Sequence, residues 1–290
     1  MQPQLEDIRW LTYARPTNTA EKMSFRSLYH SLLEYEGQAA FDDLLRPWLD
    51  NNLPEIELLR SLGARTGTPI PKMSSEELWH LYAAHRVLEL LALRFQTGSA
   101  DGSEWPGPAV TEDEFHRFAQ CIGLDIVHSE RWSPFHHEIV GLTPIADPAR
   151  PARILKYHWP CLMLGPMLFM RAGVTVSAGS AHMAPGIADQ STLYWAHRRK
   201  TRPHQDLAHG WGSNSSWRTD FRRDYLLDGM FHFNVDGDID LSKLPPGDVD
   251  DGGLSAQERR ELVVNRCFVV CTKDHADLFP YDDRCSVRTD

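Results

Sequence analysis

Long apolar runs are scarce in this sequence. The longest, PCLMLGPMLFM over 160–170, is interrupted by Gly165 and Pro166, and it falls short of the roughly 20 residues a membrane-spanning helix needs. No membrane partner is therefore expected. The opening MQPQLEDIRW lacks the basic-then-apolar layout of a secretion signal, so a cytoplasmic location is expected. Cysteine is sparse: five, at 121, 161, 267, 271 and 285, without paired zinc spacing. Such a set reads as reduced thiols rather than a disulfide framework or a zinc site. Positive charge is in deficit. A net charge of −10 speaks against non-specific nucleic-acid binding, and HRRKTR over 197–202 is the one local exception. Internal repeats are absent, and 290 residues read as a single domain able to bury a substantial core.

Histidine, by contrast, is plentiful: fourteen, most of them after residue 115. Histidine binds metals and transfers protons near neutral pH, so its density points toward an enzyme. The chain opens helically. Residues 20–125 carry apolar positions at three-and-four spacing, and Ser74 with Glu77 forms a capping box for a helix that Gly98 stops. A loop over 98–108 precedes a shorter helix at 111–123. Farther on, 134–145 and 172–179 read as strands, whereas 155–171 reads as a buried, proline-interrupted helix. Residues 235–253 are acidic and loop-rich, and 255–271 reads as a helix, or a helix leading into a strand.

On the capped helix, Leu78, Leu81, Leu88, Ala92 and Phe95 share a stripe, and His85 lies near its middle, one turn from Glu89. His85 is therefore expected to be buried, either as a satisfied core residue or as a catalytic group. His80 points the opposite way and reads as surface.

The run His85-Arg-Val-Leu-Glu89-Leu-Leu resembles the first active-site helix of the tryptophan 2,3-dioxygenase superfamily. There a histidine, followed one turn later by Glu-Leu, projects over the distal face of a haem. In that superfamily a histidine on a later helix is the proximal ligand, and a Gly/Ser-rich loop about thirteen residues beyond folds over substrate. His197 and the loop opening at Gly210 reproduce that separation. YWAHRR over 194–199 and LAHGWGSNSSWRTDFRRDY over 207–225 look like the signature of the haem-dependent L-tyrosine hydroxylases of natural-product pathways.

The resemblance implies a mainly α, helical haem-binding domain of the tryptophan 2,3-dioxygenase-like type with minor β and loop elaborations. It also implies a homodimer, and hydroxylation of L-tyrosine to L-DOPA with hydrogen peroxide, or dioxygen plus a reductant. A methyltyrosine-forming relative ties its haem through H-x-x-x-C. Here Thr201 stands four after His197, which predicts haem b held non-covalently.

Within that resemblance, His197 is the metal ligand and His85 the catalytic group that accepts a proton from bound oxidant and returns it to the leaving oxygen. Arg198 and Arg202, in a cluster with Arg199 and Lys200, are candidates for the haem propionates; alternatively the cluster is a solvated basic helix end. Ser213, Asn214, Ser215, Trp217, Arg218 and Tyr225 are candidates for substrate binding: short hydrogen-bonding groups, an aromatic face and a carboxylate partner. Trp211 offers a second ring face, and Arg222 or Arg223 a further carboxylate partner. Equally, these arginines form a surface salt-bridge ladder with Asp220 and Asp224, and Tyr225 simply packs.

Two other classes remain. His204-Gln-Asp206 has the H-x-D form of a non-haem iron(II)/2-oxoglutarate dioxygenase, with His275 as distal ligand and Arg284-x-Ser286 as oxoglutarate clamp. The helical opening speaks against the double-stranded β-helix that chemistry uses. A non-catalytic haem- or ligand-binding protein is the other. His136-His137-Glu138 is a weak zinc signal, because adjacent strand residues face opposite ways.

Overall fold

The computed structural model describes residues 24–98, 105–205, 217–245, 247–272, 274 and 278–289. Its first part is helical, as the periodicity predicts. Helix α1 (Phe25–Leu33) buries Phe25, Leu28, Tyr29 and Leu32 on one stripe. A π-helical turn at Phe41–Leu45 leads into α2 (Arg46–Asn51) and α3 (Leu53–Gly63). The predicted box of Ser74 and Glu77 caps α4 (Ser75–Ala92), and Thr111 with Glu114 caps α5 (Glu112–Cys121) in the same way. Every residue of α4 from Ala84 to Ala92 is buried, so it is the central helix of the layer.

The remainder is largely β, which overturns the expectation of a mainly α, tryptophan 2,3-dioxygenase-like fold. The protein is 31% helix and 23% strand, with six helices and a seven-stranded mixed sheet among the described residues. That sheet runs β1-β4-β5-β9-β10-β12-β11, using β1 (Asp125–Val127), β4 (Cys161–Leu164), β5 (Met167–Met170), β9 (Asp224–Leu227), β10 (Met230–Phe233), β11 (Ile239–Asp240) and β12 (Asp283–Arg288). A second sheet, β2-β6-β3, pairs β6 (Ala172–Ala178) parallel with β2 (His137–Pro144) and antiparallel with β3 (Arg153–Trp159). Short strands β7 (Leu193–Tyr194) and β8 (His204–Gln205) pair with each other, and helix α6 (Ala256–Asn265) precedes β12.

The misreading has a physical cause in 155–171. That run forms β3, β4 and β5, and it carries no polar alternation because both faces of β4 and β5 are covered. Leu162, Leu164, Met167 and Phe169 enter the core shared with α1–α5, whereas Cys161, Met163 and Leu168 enter a second core with β2, β6 and α6. The β4–β5 connection turns at Gly165, whose φ is +56°. A side chain there would also meet the Gly63 carbonyl oxygen at 2.6 Å. Elsewhere the predicted strands at 134–145 and 172–179 appear as β2 and β6, and 255–271 contains α6 without a following strand.

Candidate functional site

One face of α4 carries Tyr82, His85, Arg86 and Glu89, a spacing that stacks side chains on successive helical turns. His85 is 5% exposed and Glu89 1%. The Glu89 carboxylate is the hub of the site. Its Oε1 lies 3.2 Å from His85 Nε2, and its Oε2 accepts the backbone N–H of His197 at 2.6 Å and of Arg198 at 3.3 Å. Arg199 donates to both oxygens, at 2.7 and 2.8 Å. The same guanidinium reaches Glu138 on β2 at 2.5 and 2.9 Å, so one buried cation bridges two buried carboxylates from different layers. Burial pushes the Glu89 carboxyl up, but Arg199 and His85 outweigh it and hold it well below the usual range. Burial works against the Arg199 charge too, and Glu138 and Glu89 more than restore it.

The carboxylate also orients the imidazole. An ionised Glu89 can only accept, so His85 presents Nε2–H to it, and in the neutral ring Nδ1 is left as the basic nitrogen. Phe169 and Phe221 wall this ring, with centroids 6.0 and 5.4 Å away.

The chain around His197 is not a helix, contrary to the expectation for 194–202. Trp195 takes a left-handed φ of 56°, Tyr194 N–H donates to the Arg266 carbonyl, and residues 196–203 run as an irregular loop against α4. His197 is 5% exposed. Its Nε2 lies 2.9 Å from the Tyr29 hydroxyl on α1 and 3.3 Å from Arg86 Nε. A guanidinium only donates, so Nε2 is the acceptor nitrogen of this ring. The Arg86 guanidinium in turn sits 4.6 Å from the Tyr29 ring centroid and 4.3 Å from that of Trp217, both cation–π distances. Trp217 also meets the Tyr29 and His30 rings edge-on, and Arg26 lies 5.6 Å from it.

The other expected residues fall in several places. Arg198 is half-buried beside Glu89. Arg202, with Arg199 and Lys200, is buried rather than solvated; its guanidinium donates to the carbonyls of Ile139, Ala188 and Ser191. Exposed Arg218 stacks over Trp79 at 5.5 Å. Tyr225 is buried in β9 and accepts from Arg223 at 3.1 Å. Arg222 pairs with Asp224 and Arg223 with Asp236, so the ladder is only partly the one expected, and Arg222 and Asp224 are buried. Ser213, Asn214, Ser215 and Trp211 lie outside the described residues, as do Asp206 and His275 of the non-haem alternative; His204 is in β8.

His80 is not a surface residue. Its side chain is 14% exposed and meets Glu55 at 3.3 Å. Glu138 belongs to an ion pair rather than a zinc site, and among the described residues no group of three or more His, Cys, Asp or Glu side chains converges. Sequence reasoning missed Tyr29 and Arg86. Arg86 carried a signal, since it continues the Tyr82–Glu89 face; Tyr29, far away in the chain, carried none. No protein-family model, curated protein or solved structure matches the chain.

Proposed function

We propose that this chain is a histidine-ligated haem enzyme that hydroxylates L-tyrosine at the 3-position to L-DOPA, using hydrogen peroxide or dioxygen plus a reductant, in natural-product biosynthesis. The observation that carries the reading is His197. Its Nε2 is held as a proton-free acceptor by Arg86, the form in which an imidazole ligates a metal. The donor set suits haem: one imidazole suffices where a macrocycle supplies the equatorial nitrogens. Arg86 and Arg26 are cations suited to propionates, and Trp217 and Tyr29 are flat faces beside them. His197 Nε2 would hold the iron in exchange for its Tyr29 and Arg86 contacts. When bound, haem b supplies the metal that activates the oxidant. Thr201 offers no thiol for attachment, which supports a non-covalent group.

The chain's own contribution is proton handling and orientation. Glu89 fixes His85 with Nε2–H toward the carboxylate, and Nδ1 takes up and returns the proton. Phe169 and Phe221 keep that imidazole in apolar surroundings. The tyrosine zwitterion is bound by arginine and by the Ser213–Ser215 stretch, and its ring stacks on Trp217. The helical superfamily fold is no part of this proposal, which rests on the local motifs alone. No helix among the described residues is long and apolar enough to cross a membrane, and we take the enzyme as a cytoplasmic homodimer.

The test is the visible spectrum of purified protein titrated with haem, followed by incubation with L-tyrosine and peroxide. A Soret band that saturates at one haem per chain and shifts with tyrosine, together with DOPA formation, is expected. Absence of a saturable Soret band overturns the haem reading. Saturable haem without DOPA leaves a haem-binding protein and overturns the enzyme.

A further inference from the structure

The loop carrying His197 also borders a second buried charge cluster. The Trp195 ring lies 4.9 Å from the Arg222 guanidinium carbon, and Tyr194 N–H donates to the Arg266 carbonyl at 2.8 Å. Three arginines meet there from separate elements. Arg171 stands between β5 and β6, Arg222 just before β9, and Arg266 at the left-handed C-terminal cap of α6. They are 3%, 4% and 7% exposed, and the Asp224 carboxylate among them is 1% exposed.

Asp224 is shared. Its Oδ1 accepts from Arg222 Nε at 2.9 Å and from the Asn234 N–H at 2.7 Å, and its Oδ2 accepts from Arg266 Nη2 at 2.8 Å. Arg171 has no carboxylate in contact and donates to the Asn265 carbonyl at 2.7 Å. The nearby Glu138 has both oxygens on Arg199. From α4 outward the buried charges therefore alternate, Glu89, Arg199, Glu138, Arg171, until the order fails: Arg171 is followed by Arg266, a second cation, before Asp224 and Arg222.

The hydrogen-bond inventory fails at the same place. Arg171 Nε, Arg266 Nε and Arg222 Nη1 are all buried with no acceptor among the described residues. A buried cationic donor without an acceptor is costly. The strain shows in the arginines themselves. Burial, with Arg266 adding to it, pushes Arg171 down to about 9; burial pushes Arg222 down to about 10 against the pull of Asp224.

We propose that the Arg171–Arg222–Arg266 cluster is a binding site for a small monovalent inorganic anion of the chloride class. The three guanidinium groups outnumber the one carboxylate, and the N–H groups without protein acceptors are the ligands. Enclosure selects the ion: side chains this buried favour an anion that sheds its hydration cheaply over sulfate or phosphate. The proposal is independent of haem and of the reaction.

Thermal unfolding of the purified full chain, with gluconate replaced by chloride at constant ionic strength, tests it. The melting temperature is expected to rise by about 2–4 °C per tenfold of chloride above Kd. Exposed Arg153→Gln should keep that slope and Arg266→Gln should lose it. Should Arg266→Gln not fold, anomalous diffraction from bromide-soaked wild-type crystals decides, with a peak against Arg171 and Arg266 expected. A slope equal in wild type and Arg266→Gln is non-specific salt stabilisation and overturns the site. So does a flat wild-type response, or a cluster that holds water and no bromide.

Discussion

Replacing Arg199 with methionine removes the one cation that Glu89 and Glu138 share. The side chain is 3% exposed and makes four close N–H···O contacts to the two carboxylates, at 2.5, 2.7, 2.8 and 2.9 Å. Methionine keeps an apolar stem near the Trp159 ring, where the guanidinium carbon now lies 5.4 Å away, so the lost quantity is charge and hydrogen bonding. Breaking a buried pair by deleting one partner costs about 3–5 kcal/mol, because the survivor stays buried and uncompensated. Glu138 loses both of its donors and Glu89, which keeps His85 and the His197 and Arg198 N–H groups, loses its cation, so the upper end applies. At about 2–4 °C per kcal/mol for a domain of this size, the melting temperature falls by roughly 10 °C or more.

The double variant Arg199→Met/Glu138→Gln separates charge from packing. In the wild type Glu138→Gln is destabilising, whereas after Arg199→Met it relieves one orphan, so the pair should couple by about 1–3 kcal/mol. Chemical denaturation of the four proteins reads this directly. A loss below about 1 kcal/mol for Arg199→Met, or strictly additive losses, would refute the shared-cation account of how the His197 loop is held on α4.

Two further outcomes follow from other residues. At matched haem content, His85→Asn should keep the cofactor and slow DOPA formation about 10²–10⁴-fold, while exposed His182→Ala stays near wild type; an unslowed His85→Asn removes that imidazole from the mechanism. Asp224→Asn carries a pH signature. Burial raises the Asp224 carboxyl, and Arg222 and Arg266 more than reverse this, so its folded pKa is depressed. Its stabilisation is therefore fully present above the unfolded value of about 3.9 and is lost as pH falls through the folded one. The gap in unfolding free energy between wild type and Asp224→Asn should be constant above about pH 5 and should close in stronger acid; a gap that widens in acid contradicts the assignment.

What could be read in advance was local. The Ser74–Glu77 box and the burial of His85 depend on neighbours within a turn or two, and both hold, whereas the expected stripe gives way from Ala84 to Ala92 to a helix buried on every side. Strands β2 and β6 also stand where their segments predict. The misreadings lie where partners are distant. Run 155–171 reads as a helix because two cores, one on each face, remove the alternation that marks a strand. Arg198–Arg202 reads as a solvated helix end because four basic residues in five positions ordinarily repel. Yet Arg199 finds its carboxylates 110 and 61 positions away in the chain, and Arg202 finds three carbonyls on two other segments. Nothing in the local pattern encodes those partners.

The same distant pairing changes what the net charge means. A chain at −10 is expected to repel polyanions, but that expectation concerns the outside only. Among the described residues, the buried cationic side chains outside the Arg223–Asp236 and Arg259–Asp248–Asp250–Asp283 pairings include Arg171, Arg199, Arg202, Arg222 and Arg266, against the buried carboxylates of Glu89, Glu138 and Asp224. Carbonyl oxygens solvate part of that surplus, as at Arg202, but a carbonyl dipole does not neutralise a charge. An interior so weighted favours anions small or flat enough to enter it. Under the two proposals above, haem propionates near Arg86 and Arg26 and, separately, a chloride-class ion beside Arg266 would each enter that interior. Because Arg86 and Arg266 lie in separate clusters, titrating one anion should leave the affinity for the other within about twofold, as expected for independent sites; stronger coupling would mean that the two clusters share a single counter-ion.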